Sequence, residues 1–306
     1  MSEGARILDR GYRSYEGERL GVSAAVRSVA RHTSYRALGI HRSARTKVFP
    51  VLVVTCAYLP TLIYVGVAVI GNRLERDGVP GRVMARQFIP TYAANYGGIV
   101  LAILLFAAFV APEVLCPDRR DGMLGIYLAS PLDRGTYLLG KTLAVVALLS
   151  LVTLGPPLVL LLGYATQGYG PSGIAGWLGS IGRIVAAGVL VSAVFAAVSL
   201  AISSVTSRKG VAAASVLVVV FGSFATVTAL IAQGGFSPSL GVFNLFTLPF
   251  EGVYRVFAEP SSLVPPTPDG LIEEMSTTLV YAANAAWVLL CAAIVVLRYR
   301  RLEVGR

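Results

Sequence analysis

The stretch Pro117 to Lys141, PDRRDGMLGIYLASPLDRGTYLLGK, separates two apolar runs of membrane length, one closing near Glu113 and the other opening at Thr142. A polar stretch with acids and bases of both signs in that position has to surface in water, because bilayer hydrocarbon leaves charged and backbone polar groups without partners. It also carries an amphipathic piece of its own. Met123, Leu124, Ile126, Tyr127 and Leu128 follow Asp118 to Asp121, so a short helix over Asp118 to Ser130 is expected along the membrane face. Asp118 suits its N-terminus, where free backbone N–H groups favour an acidic cap. Ser130-Pro131 ends it, since proline biases the preceding residue away from helix.

Outward from this stretch the chain is mostly apolar. Its 306 residues are 55% hydrophobic and 14% charged, with a mean hydropathy of +0.71. Soluble domains carry roughly 25% charged residues, so an all-α, multi-pass membrane protein is expected. Six apolar runs are long enough to cross a core of about 30 Å, at about 48–70, 97–115, 142–164, 184–206, 211–232 and 278–297. Pro60 is expected to kink the first, and Gly155-Pro156-Pro157 to kink or break the third. The chain thus divides into an N-terminal arm (1–47), a six-span domain (48–297) and a short tail (298–306).

The net charge of +10 is uneven: ten of the 26 basic residues precede Phe49. That placement fits anionic lipid and topology control, and no nucleic-acid partner is expected. If both termini lie inside, inner segments hold 20 basic residues and outer segments six, which predicts cytoplasmic termini. Between Arg19 and Leu38, Val22, Ala25, Val26, Val29 and Thr33 share one helical face, with Arg27, Arg31 and Ser34 opposite. This reads as an amphipathic helix in the headgroup plane, the alternative being a solvated basic arm. The first 47 residues show no apolar core of a cleavable signal peptide. Before the last span, Leu240 to Phe257 is too apolar for a free loop and too interrupted for a span. It reads as a pair of short re-entrant or interfacial helices broken at Pro249, followed by an irregular connection from Pro260 to Gly270.

The run Asp118-Arg119-Arg120-Asp121-Gly122, with Leu124, Tyr127-Leu128, Pro131-Leu132, Arg134, Tyr137-Leu138 and Gly140-Lys141, resembles the cytoplasmic loop of type-two ABC transporter permeases. Such loops read approximately D-R-x-x-G-x-L, then P-L-x-R, then Y-x-x-x-K. The resemblance implies that this loop carries a coupling helix that docks on a separate ATPase subunit. Asp118, Arg119, Arg120, Asp121, Gly122, Leu124, Tyr127, Leu128, Pro131 and Arg134 would then be the coupling residues, with Leu124, Tyr127 and Leu128 as apolar knobs. Tyr12-Arg13-x-Tyr15-x-Gly17-x-Arg19 is similar to the lead-in of some permeases of this family. There a connecting helix touches the ATPase, which marks Tyr12, Arg13, Tyr15 and Arg19. Short helices before the last span are likewise expected in such a family.

A competing motif sits inside the loop. Gly135 to Thr142 satisfies the nucleotide-binding pattern G-x-x-x-x-G-K-[ST]. A working P-loop follows a buried strand and has compact residues in its middle; here Tyr137, Leu138 and Leu139 fill it, and no Asp occurs between Asp133 and Asp269 to supply the second acidic motif. The match reads as coincidence, with Lys141 expected to snorkel to the cytoplasmic surface at the start of the third span.

Charge is nearly absent from the spans, Glu113 lying at an edge and both histidines, His32 and His41, in the arm. That pattern argues against a proton- or sodium-coupled carrier and against intramembrane catalysis. Cys56, Cys116 and Cys291 read as buried inert thiols. Gly188, Ser192 and Ala196 repeat a small residue every four positions, which allows close helix approach either within the subunit or between subunits. The function expected from the resemblance is the permease subunit of an ATP-driven exporter in a bacterial plasma membrane. It would pair with a second copy or a related permease and with two ATPase copies that hold ATP and magnesium, the chain itself carrying no cofactor. An apolar and hydroxyl-bearing lining suggests a lipidic or amphipathic substrate. The alternative is a membrane scaffold or force transmitter coupled to an ATPase without transport.

Overall fold

The computed structural model describes residues 21–40, 44–128, 132–261, 263 and 275–301, without the side chains of residues 44–46, Leu124 and Leu128. Tyr12, Arg13, Tyr15, Arg19, Pro131, most of the connection to Gly270 and the end of the tail lie outside the described residues. Among the described residues eleven α-helices follow one another: α1 (Gly21–Ala37), α2 (Ala44–Arg76), α3 (Gly81–Arg86), α4 (Tyr92–Arg120), α5 (Leu124–Leu128), α6 (Arg134–Thr153), α7 (Gly155–Thr166), α8 (Gly173–Val205), α9 (Lys209–Ala232), α10 (Leu248–Phe257) and α11 (Thr277–Arg300). A 3-10 helix, Pro238–Phe243, precedes α10.

Among the described residues, six helical stretches are long and apolar enough to cross a membrane: α2, α4, α6 with α7, α8, α9 and α11. Their burial sorts them into layers. In their most apolar windows α4 and α8 are 72% and 67% buried, whereas α2, α9 and α11 are 22% buried. Helices α4 and α8 therefore form the centre, and the outer three present most of their side chains outward.

Several helices start earlier than the apolar runs, because capping side chains recruit polar residues into the first turn. Thr91 Oγ1 accepts from the Ala94 amide at 3.2 Å and starts α4. Asp133 accepts from the Thr136 amide at 2.6 Å while the Asp133 amide donates to Thr136 Oγ1 at 2.9 Å, a capping box that opens α6 eight residues before Thr142. The third span breaks at Leu154, where α6 stops and α7 restarts at Gly155. Pro156 and Pro157 have no N–H for a preceding turn, so they are accommodated only in a first turn. Pro60, by contrast, lies inside an uninterrupted α2.

Two local expectations are corrected. Pro249 does not break the segment before the last span: it sits in the first turn of α10, and the break falls at 244–247. There Asn244 Oδ1 accepts from the Phe246 and Thr247 amides at 3.2 and 3.1 Å, turning the chain. The apolar face of α1 is also occupied by protein. Val26 and Val29 pack with Leu132, and Val29 rests on Gly140 of α6, where a Cβ would stand 3.1 Å from Val29 Cγ1. Helix α1 is thus seated on the bundle.

The small-residue stripe of α8 serves packing inside the subunit. Thr153 Oγ1 donates to the Gly188 carbonyl at 3.1 Å and shares a 2.7 Å hydrogen bond with Ser192 Oγ. A side chain at Gly188 would collide with Leu154. Cys116 and Cys291 are buried, but Cys56 is exposed on α2. Helix α10 folds into the bundle against α4, α8 and α11, and it brings in Glu251, buried to 1% exposure and accepting from Ser261 Oγ at 2.6 Å. The helical domain therefore does contain a buried carboxylate before the last span, contributed by α10.

Candidate functional site

Three letters of the loop pattern, Asp118, Tyr137 and Lys141, converge at one point. Tyr137 and Lys141 are four residues apart, hence on one face of α6, and that face meets the last turn of α4. Lys141 Nζ lies 2.6 Å from Asp118 Oδ2, and the Tyr137 hydroxyl donates to the same oxygen at 2.9 Å. The other carboxylate oxygen, Oδ1, lies 2.8 Å from Nη1 of Arg36 on α1. Asp118 and Lys141 are 2% and 1% exposed. Arg36 also donates to the Val114 carbonyl at 3.1 Å, so it grips the α4 backbone as well as its carboxylate.

This geometry revises two expectations. Asp118 does not start the loop helix; it closes α4, which runs on to Arg120, and the chain then turns through Gly122 at a φ of 64° before α5 begins at Leu124. Lys141 does not snorkel outward, because its ammonium is consumed by a buried carboxylate. The nucleotide-binding pattern from Gly135 to Thr142 lies wholly within α6. From Tyr137 onward its amides are committed to helical hydrogen bonds, and the Thr136 amide is taken by the Asp133 cap, so the segment does not form the open loop that cradles a phosphate.

Aromatic rings complete the cluster. Tyr127 of α5 stands over Tyr137 with ring centroids 5.1 Å apart, and Tyr299 of α11 lies 6.2 Å from Tyr137 on another side. The Lys141 ammonium is 5.2 Å from the Tyr127 centroid and 5.5 Å from that of Tyr137, within reach of cation–π attraction. One carboxylate therefore ties together α1, α4 and α6 directly, and α5 and α11 through the rings. Burial disfavours the charge on Arg36, yet Asp118 beside it more than compensates and holds the guanidinium pKa above its ordinary value.

The remaining loop residues are spread around this centre. Arg119 donates to the carbonyls of Ser204 and Thr206, pinning the connection between α8 and α9. Arg120 is exposed and pairs with Asp121 at 3.0 Å. Arg134 donates to the Arg300 carbonyl at 2.7 Å and caps the C-terminus of α11. Among the described side chains of α5, Tyr127 is partly buried in the cluster and Ile126 is turned out, at 67% exposure. Asp133, the α6 cap, has its pKa lowered by the hydrogen bonds from the Thr136 amide and hydroxyl. Arg36 and Tyr299 escaped the sequence reading, being 82 and 181 residues from Asp118; the i, i+4 spacing of Tyr137 and Lys141 was the one local signal available.

The cluster predicts a specific pattern of stabilities. Asp118→Asn leaves the Lys141 ammonium buried without its counter-charge, a loss of about 3–5 kcal/mol. Adding Lys141→Met removes the more deeply buried of the two cations left without a counter-charge, Arg36 being partly open to solvent, so the pair should regain most of that loss. Denaturant unfolding in detergent measures both; a pair no more stable than Asp118→Asn alone would show the ion pair to be incidental.

Comparison with known proteins agrees with this architecture. The family model described as "ABC-2 family transporter protein" matches residues 22–301. A curated relative from Pseudomonas aeruginosa, named "Probable ABC transporter permease protein NosY", is 27% identical over 212 residues, covering 66% of this chain and 74% of the relative. With six membrane-length helices and a family match that runs from α1 to the end of α11, the chain belongs to the ABC-2 family of transporter proteins, as a multi-pass membrane permease.

Proposed function

We propose that the chain is the permease subunit of an ATP-driven exporter of the bacterial cytoplasmic membrane, with both termini inside, moving a lipidic or amphipathic substrate. Family membership implies an ABC ATPase partner and pairing with a further permease chain. In this reading two ATPase copies hold ATP and magnesium, the second permease is a copy of this chain, and this chain holds no cofactor.

One observation carries the proposal: the buried Asp118 carboxylate links α5 and α1 to the ends of two spans. A partner docked on α5 pushes on Tyr127, whose ring bears on Lys141 and Tyr137. Both are bonded to Asp118, so displacement passes to α4 and α6, and through Arg36 to α1. The partner's nucleotide states bias the spans only in so far as they hold this end differently. Ile126, exposed among the described side chains of α5, is the contact offered outward, and the exposed Arg120–Asp121 pair precedes it in the loop. Leu124 and Leu128 remain proposed knobs of the same helix.

Burying one such side chain contributes about 1.5–3 kcal/mol, roughly one to two decades in affinity. Ile126→Asp should therefore reduce co-purification of the ATPase or uncouple its hydrolysis from transport, while membrane insertion and detergent stability stay unchanged. Equal recovery of the partner and equal transport would remove α5 from the coupling path.

The orientation rests on the 20-to-six division of basic residues. Reporter fusions after Val69 and after Gly270 should report outside, and a fusion after Arg134 inside. An inside signal after Gly270 would invert the scheme.

A further inference from the structure

Helix α11 packs along α8 and meets α6 only near its end, which leaves a cleft of about 520 Å³ between the three helices. That volume lies within the range of roughly 300–1,000 Å³ typical of small-molecule sites. The cleft is asymmetric along its length. Its walls are aliphatic, with Leu138 and Val146 on α6 facing Val295 on α11, and the small Ala197 and Ala292 keep it open. Its mouth, at the Asp118 end of the bundle, is basic: Arg134 and Arg300 stand there.

Among the described residues neither Arg134 nor Arg300 has an ion-pair partner. Arg134 spends one nitrogen on the carbonyls of Tyr299 and Arg300, and its other donors have no partner among the described residues. The exposed Arg300 side chain has no ion-pair partner among the described residues. Asp133, the one acid among the described lining residues, caps Thr136 and offsets one of the two positive charges, which leaves the described mouth net positive. A greasy slot on the outer surface of the bundle, ending in two guanidinium groups and one carboxylate among the described residues, matches an amphiphile with an apolar tail and an anionic head.

We propose that this cleft is a binding site for one anionic phospholipid, with an acyl chain along α6, α8 and α11 and its phosphate between Arg134 and Arg300. The assignment to the cytoplasmic leaflet alone rests on the proposed orientation. The bound lipid is resident and distinct from transported cargo. It buttresses the α11 end from outside, where Tyr299 forms both the back of the cleft and a ring contact of Tyr137.

Native mass spectrometry of the purified full-length chain in detergent tests this with phosphatidylglycerol and phosphatidylcholine of identical chains. Phosphatidylglycerol should be retained in preference, and glycerol phosphate, which has the charge without the tail, should not displace it. Arg300→Gln removes one guanidinium and should weaken retention about fivefold, as expected for one basic side chain at an anionic headgroup. Ala292→Phe, on the exposed side of α11, fills the slot and should abolish preferential retention. Arg300→Gln keeps the test open if the bulky variant folds poorly. Equal retention of the two lipids, or unaltered phosphatidylglycerol binding in both variants, would overturn the proposal. So would loss of a dimer in place of lipid on Ala292→Phe, because the cleft would then seat a second copy. None of these results bears on ATPase docking at α5, so failure here is separable from failure of the permease reading.

Discussion

The buried carboxylate of Asp118 is the constraint on which this end of the molecule depends. Taking it out of water with two cations is costly, and an apolar trio of equal volume would hold the helices about as firmly. What the charged cluster adds is register. A carboxylate shared by the Arg36 guanidinium, the Lys141 ammonium and the Tyr137 hydroxyl has one favourable arrangement, whereas packed aliphatic chains tolerate sliding. The faces of Tyr127 and Tyr137 beside the ammonium offset part of the desolvation.

Other polar contacts extend the same block. Arg119 holds the connection from α8 to α9, Glu113 meets Lys209 at the start of α9 at 2.5 Å, and Arg134 caps α11. Helices α4, α6, α8, α9 and α11 are thereby fastened near one end by side chains donated across helix boundaries. Among the described residues the apolar middle of the bundle is joined by neutral contacts only, Thr61 Oγ1 donating to Asn95 Oδ1 and the Tyr58 hydroxyl to the Leu151 carbonyl, both at 3.2 Å, together with dispersion and small-residue packing. The break at Leu154 and the Thr153–Ser192 hydrogen bond mark where the third span departs from a simple rod.

The spans were legible because length and apolarity are local properties of sequence. Their limits were less so: Thr91 and Asp133 extend α4 and α6 into polar sequence that a hydropathy window discards, although Asp133 and Thr136 have the spacing of a capping box. The Gly155-Pro156-Pro157 break was readable from proline's missing N–H, but the same logic applied to Pro249 failed because a proline in a first turn starts a helix. Lys141 was misplaced for a deeper reason. A lone lysine at the edge of an apolar run ordinarily snorkels, and what overrides this is a carboxylate 23 residues earlier, brought alongside by the return of the chain through α5. The pattern that suggested a loop motif was, in three of its letters, one bonded cluster.

The central claim is that α1 and the ends of α4 and α6 move as one piece because Asp118 holds them. Pulsed electron resonance between spin labels at Arg27 on α1 and Leu139 on α6, both exposed, measures this in the complex with the ATPase, with Cys56 replaced by Ser. One narrow distance, unchanged between the nucleotide-free and ATP-bound complexes and broadened in Asp118→Asn, is the predicted result. A distance that shifts with nucleotide while Asp118 is intact would contradict the account, because the carboxylate would then not be the joint that transmits the motion.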